Sequence, residues 1–353
     1  MKRNLMFIIL IIIVLSACSD GQLNNEYSEK DVATLSNDGT VLEGSKDFEL
    51  LSKSDQIAES SVPFTLVKAF VPDDDFKNEI TVRGEAFTFL TLPENKDHLT
   101  GNIIVENNKD EKVEMQALFM QGDRTAKVRP KEDEKWSTSI KYDVPPKTSI
   151  TLPVEISIEK EGQGELSFIP LEDLADKEQI GNENVSNYRF FLQLDDVTID
   201  NEKLKPLSFT LSEEQMSSLK DPYPSPSWST NNGEAVKFYE KNEQLFTKKR
   251  IQGITLNTLP YSTVIDVVHF DEHGNSTVLK EDIVLKENES KYLPFEKETI
   301  EKLYEKDRRQ FIKVTNNREE NILADMKALD NGSKPFPTSY QGIIELHPMK
   351  EGE

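Results

Sequence analysis

Ile150-Thr151-Leu152-Pro153-Val154-Glu155-Ile156-Ser157-Ile158 places an aliphatic residue at every second position, with polar residues or proline between. Period two is the repeat of a β-strand, whose successive side chains point to opposite faces, so the stretch predicts a strand with one buried face. Pro153 lies inside it and has no N–H for a ladder hydrogen bond, which predicts an edge position. Just upstream, Ile140, Tyr142 and Val144 alternate in the same way, and Pro145-Pro146-Lys147 separates the two runs.

Working outward, short apolar and β-branched runs at 64–70, 80–83, 86–92, 102–106, 113–120, 166–169 and 188–194 are divided by turn residues. The same texture returns at 251–256, 262–270, 277–285, 310–314 and 340–346. This is the spacing of antiparallel sandwiches. Asp271-Glu272-His273-Gly274-Asn275-Ser276 has the composition of a hairpin turn. Short helices are expected at 171–178, at 212–219, where Ser212 and Gln215 have capping-box spacing, and within 295–309, where Ile300, Leu303 and Tyr304 fall at helical spacing. Asp221-Pro222-Tyr223-Pro224-Ser225-Pro226 favours a stiff, extended connection. A chain of 353 residues accommodates about two domains, and the expected division is 61–220, a proline-rich linker at 221–234, and 235–353.

The apolar run, Asn107-Asn108-Lys109-Asp110, apolar run pattern, followed by Pro-Pro-Lys and an alternating strand, resembles the immunoglobulin-like sandwiches of bacterial surface proteins over roughly residues 62–210. The antibody-type core is absent: there is no cysteine pair, and Trp136 follows the charged stretch Lys131-Glu132-Asp133-Glu134-Lys135. The expected fold is therefore mainly β, two tandem antiparallel immunoglobulin-like sandwiches with a few short helices.

The N-terminus carries a different signal. Lys2 and Arg3 precede an apolar run of 11 residues from 5 to 15, long enough for a secretory h-region and too short for a stable membrane span. Leu15-Ser16-Ala17-Cys18 resembles the lipobox of bacterial lipoproteins, with an aliphatic residue three before the cysteine and small residues between. That resemblance implies recognition of Leu15, Ser16 and Ala17 by the lipoprotein signal peptidase. It also implies lipidation of the Cys18 thiol, cleavage after residue 17, and a lipid anchor on the extracytoplasmic face of the cell membrane. Cys18 is the only cysteine, so it has no intramolecular disulfide partner. Residues 18–60 are rich in Ser, Asp, Glu, Asn and Gly and read as a disordered, flexible tether with a reach of roughly 35–40 Å.

Removing residues 1–17 takes away the two charges of Lys2 and Arg3 and moves the net charge from −22 to −24. So acidic a chain is a poor partner for nucleic acid, and an anionic membrane surface repels it, so lipid must do the holding. No cofactor motif is present, nor a Gly-x-Ser-x-Gly elbow, a His-Glu-x-x-His motif or a phosphate loop, and the histidines are four: His98, His269, His273 and His347. His269 and His273 with Asp271 are the nearest approach to a metal site, but their spacing spans a strand end and a turn, so an exposed polar hairpin tip is favoured. Asp73-Asp74-Asp75 with Glu79, and Asp195-Asp196, lack the alternate ligand spacing of a calcium loop and read as solvated charge. Tyr223 and Trp228 could stack on sugars, but packing between two domains is the commoner use of such residues.

These features together predict a surface-anchored, non-enzymatic binding or scaffold module for a protein or glycan. Two rivals share the anchor: a solute-binding lipoprotein of a transporter, which calls for alternating strands and helices, and a wall-acting enzyme with a carboxylate pair.

Overall fold

The computed structural model describes residues 26–35, 66–82, 85–131, 133–172, 185–193, 225–241, 244–259, 262–304, 308–316 and 341–346. In chain order its strands are Val32–Leu35 (β1), Leu66–Pro72 (β2), Lys77–Val82 (β3), Glu85–Thr91 (β4), His98–Asn107 (β5), Val113–Gln121 (β6), Arg124–Ala126 (β7), Val128–Pro130 (β8), Ser139–Val144 (β9), Thr148–Ser157 (β10), Glu165–Glu172 (β11), Tyr188–Gln193 (β12), Pro226–Ser229 (β13), Phe238–Lys241 (β14), Gln244–Thr247 (β15), Gly253–Leu256 (β16), Thr263–Asp271 (β17), Ser276–Leu285 (β18), Lys291–Pro294 (β19), Gln310–Asn316 (β20) and Gln341–Leu346 (β21). An α-helix, α1, spans Lys297–Leu303, and 3₁₀ turns lie at Glu29–Asp31 and Asp74–Phe76.

In the first sandwich, a sheet of order β2-β5-β10-β8 faces a larger one of order β1-β9-β6-β11-β12-β4-β3, with β7 paired to β6. The inward residues of the alternating strand, Val154 and Ile156, join Ile103, Val105, Phe70, Phe119 and Phe168 in a common core. Phe70 meets Phe119 edge-on at 5.1 Å and Phe190 at 5.7 Å, a geometry favoured by the ring quadrupoles. Gly101 interrupts β5 where a Cβ would lie 2.7 Å from the Phe70 ring, so glycine is what lets the ring cover the strand. The chain changes sheet between β5 and β6 and again between β10 and β11, the Greek-key crossings of an immunoglobulin-like sandwich. Asn107 pins the first crossing: it is buried, its Nδ2 donates to the carbonyls of Glu111, Val144 and Pro145, and its Oδ1 accepts from Lys109 N.

The second sandwich sets the three strands β13-β16-β19 against the four strands β18-β17-β20-β21, with the β14–β15 hairpin as a separate pair. Its core holds Trp228, Ile254, Leu256, Ile265, Val267, Ile312, Val314 and Ile344. Helix α1 contributes Ile300 and Leu303 from its buried face. The chain is thus mainly β, with two antiparallel immunoglobulin-like sandwiches.

The two sandwiches are stacked face on face. Leu118 and Met120 of β6 and Ile169 and Leu171 of β11 leave the first core, and pack instead on Val268, Phe270, Phe311 and Ile343 of the second sandwich. Both middle sheets are therefore covered on both faces, which is why β6 and β20 are almost continuously buried along their length.

Four expectations need correction. The strand carrying Pro153 is interior over its second half, because β8 pairs with residues 154–156. Lys131 N donates to Pro153 O at 3.0 Å, and proline has no N–H to return, so the missing donor falls on the last rung, where β8 stops. The tether expected over 18–60 contains structure: residues 29–31 form a 3₁₀ turn, and β1 adds to β9 in parallel. A four-residue strand with no solvent-face alternation leaves little pattern to read. Leu171 and Glu172, assigned to a helix start, end strand β11, and the rest of that helix, like the one at 212–219, lies outside the described residues. Residues 226–229, inside the stretch read as a linker, form β13, which pairs with β16.

Candidate functional site: the seam between the sandwiches

The seam combines an apolar centre with buried charge. Lys313 sits in β20 between Ile312 and Val314, fully buried, and points back toward the first sandwich. Its ammonium donates to Gly122 O and lies 3.5 Å from the Glu165 carboxylate of β11, also fully buried. Arg189 of β12 donates from Nε to Glu165 Oε2 at 2.7 Å, and from Nη1 and Nη2 to the side chain and backbone oxygens of Asn316 at 3.1 Å. One carboxylate thus holds two cations, and both cations reach across or along the seam. Arg309 of the second sandwich forks onto Glu345 and donates from Nη1 to Glu172 O of the first at 2.7 Å. Ser167 and Gln341 add a hydroxyl-to-amide bond of 2.8 Å. Removing one partner from such a set leaves a buried charge uncompensated, so the network is specific to one arrangement of the two bodies.

At one end of the seam lies the turn that the sequence singled out. His269, Asp271 and His273 do not form an exposed tip. Asp271 is 4 % exposed: its Oδ1 accepts from His273 N and Asn275 N, and its Oδ2 accepts from Asn275 Nδ2 at 2.7 Å and lies 3.3 Å from Arg308. His269 is buried, with Nε2 2.8 Å from Gln310 Oε1. Burial pushes its pKa below the ordinary 6.5, against the pull of Gln310 and Asp271, so the ring is neutral at pH 7. Among the described residues no three His, Cys, Asp or Glu side chains are grouped so as to hold a metal ion. The turn docks instead on its neighbours. Gly274 O accepts from Thr125 Oγ1, Glu272 O accepts from Gln116 Nε2 at 2.7 Å, and the Asn275 amide brackets the backbone N and O of Tyr27.

His269 also floors a small cleft of about 220 Å³ between β18 and α1, with Thr277, Lys280, Phe295, Thr299 and Lys302 on its walls. Lys302 is engaged there by Glu298 at 3.3 Å.

The other sequence candidates scatter. Leu15, Ser16, Ala17, Cys18, Asp195, Asp196, Tyr223 and His347 lie outside the described residues. Asp73 caps the end of β2, accepting from Thr100 Oγ1, and Asp74 pairs with Lys77 at 2.8 Å, so the acidic run is divided between strand end and solvent. Trp228 packs into the second core, with its indole N–H on Glu345 O. Glu165, Arg189, Lys313 and Arg309 went unnoticed in the sequence. The available signal was Lys313 itself, an ammonium in the middle of the run Phe311-Ile312-Lys313-Val314, where burial requires a partner.

No protein-family model matches the chain, and no curated protein matches it in sequence. Among solved structures it is similar to the CupB2 chaperone of Pseudomonas aeruginosa, at 10% identity and a TM-score of 0.21, covering 66% of this chain and 92% of that one. It is similar to the YadV chaperone at 10% identity and 0.20, covering 80% and 100%, and to red sea bream transglutaminase at 8% and 0.21, covering 81% and 32%. Overlap this slight assigns no activity and no partner.

Proposed function

We propose that the chain is a lipoprotein held at the extracytoplasmic face of a bacterial membrane through lipid on Cys18. There the paired sandwiches serve as a non-enzymatic binding or scaffold module for a protein or glycan. The observation that carries the second half is the seam. A carboxylate shared by two buried cations around an apolar centre makes one body of two sandwiches. A rigid frame presenting loops at fixed separation suits recognition, and interfaces between domains that must move are more polar and less enclosed. The anchor half rests on Leu15 to Cys18.

Fatty-acid labelling tests the anchor: label should enter the wild-type chain and be lost in Cys18→Ala. Cross-linking on intact cells tests the module, and the expected result is a discrete protein or glycan adduct that weakens when the seam is opened. Label retained by Cys18→Ala would overturn the anchor, and turnover of purified cell wall by the isolated chain would replace the module with an enzyme.

A further inference from the structure

The N-terminal segment is held at two places, on two different bodies. Strand β1 pairs in parallel with β9, Val32 through Leu35 against Ser139 through Tyr142. Thr138 N donates to Asp31 O at 2.9 Å and Lys135 Nζ to Lys30 O at 3.1 Å. Val32 is 9 % exposed, and Ala33 and Leu35 pack on the first core. The second hold is Asn275 of the second sandwich, whose Oδ1 accepts from Tyr27 N at 2.5 Å and whose Nδ2 donates to Tyr27 O at 3.0 Å. A side-chain amide that satisfies both polar groups of one residue imitates a strand partner, and Asp271 fixes that amide in place at 2.7 Å.

We infer that residues 27–35 are a clasp that shortens the membrane tether, so that the double sandwich stands close to the bilayer with its Asp271–Asn275 turn at the membrane end. This rests on the reading of Cys18 as the lipid anchor. Nine chain links separate Cys18 from Tyr27, and fully extended they reach at most about 30 Å. With the clasp open, the next described strand begins at Leu66, 48 links from Cys18, and covalent geometry alone then allows a reach of up to about 160 Å. Docking therefore lowers the greatest possible distance between anchor and body about fivefold and confines the body beside the membrane, and its orientation is set by where Tyr27 is gripped. A protein or glycan partner of the module would then be met near the bilayer, on the surfaces away from the turn.

The test uses the full chain, lipidated at Cys18. One added thiol, Glu134→Cys, lies on the exposed turn next to Lys135, beside the entry of the clasp, and carries a donor dye. The chain is reconstituted in phosphatidylcholine vesicles bearing an acceptor dye on the headgroups. Energy transfer should be efficient in the otherwise wild-type chain. It should fall by about twofold or more in Val32→Asp, where a buried charge ejects β1, and cleavage within 26–35 by added protease should rise by about tenfold. Should Val32→Asp fail to fold, Asn275→Ala removes the second hold alone, and a smaller fall in the same direction is expected. Unchanged transfer in a variant whose strand has become cleavable, or weak transfer in the wild-type background, overturns the clasp. Absence of lipid on Cys18 brings down the anchor and the clasp together, whereas lipid present with weak transfer brings down the clasp alone.

Discussion

Two buried side chains show how single residues hold corners of this fold. Asn107 makes four hydrogen bonds where β5 turns into the opposite sheet, and three of them end on backbone carbonyls of Glu111, Val144 and Pro145. Asn107→Ala should lower unfolding free energy by about 3 kcal/mol, since several buried polar groups lose their partner at once; urea titration measures it, and a loss under about 1 kcal/mol would count against this role. His269 carries a pH dependence. Its folded pKa is depressed by burial, while the unfolded chain takes up the proton near 6.5. The unfolded state then binds more protons below about pH 6.5, so stability is complete above that value and declines as the pH falls toward the depressed folded pKa. His269→Gln should flatten the acid limb between pH 7 and 5, by at most about 1.4 kcal/mol per pH unit, because carboxylate titration is common to both chains. The two residues differed in legibility. Asn107 stood in an obvious polar break, yet nothing local says that its amide turns inward; that is decided by the carbonyls of Val144 and Pro145, far along the chain.

At the scale of elements, what could be read depended on how many faces a strand buries. β10 has a covered face and a wetter one, and its alternation was plain. β5 is the same, buried and half-buried by turns. β6, β11 and β20 are covered on both faces, and their residues run Leu118-Phe119-Met120 or Phe311-Ile312-Lys313-Val314 without period. Such runs say strand and do not say which partner takes which face, because the second partner is another sandwich. The short strands β1, β7 and β8 exist through pairing at edges, and three or four residues carry no periodicity. The charge in β20 tests the seam as an assembly of elements. Glu165→Ala leaves Lys313 and Arg189 without their shared carboxylate in a dry site and should cost about 3–5 kcal/mol. Lys313→Met should cost less, because Arg189 still neutralises Glu165 at 2.7 Å and the methionine stem refills the volume. Denaturant midpoints of the two variants in parallel give the order, and equal costs would mean that Lys313 is the dominant partner.

For the whole molecule, two separate cores and one seam set the unfolding behaviour. Each sandwich has its own interior, built on Phe119 and Phe168 in one and on Trp228 and Ile312 in the other, so each has the means to fold alone. The seam adds a third apolar cluster shared by both, in which Phe270 and Phe311 stack at 4.8 Å opposite Leu118 and Met120. Burying that cluster makes each body more stable in the presence of the other, which is the condition for joint unfolding. Phe270→Asp places a charge at the centre of the cluster while leaving both sandwich cores intact, and desolvation of that carboxylate opposes closure of the seam. Calorimetry should therefore record one transition for the wild-type chain and two for Phe270→Asp, the less stable sandwich melting first. Because the N-terminal clasp grips both bodies, the variant should also lose protection of the Tyr27 amide in hydrogen exchange while Val32 to Leu35 keep theirs. A single transition that merely shifts to lower temperature would show instead that one sandwich cannot stand without the other, and that the seam is part of a single core.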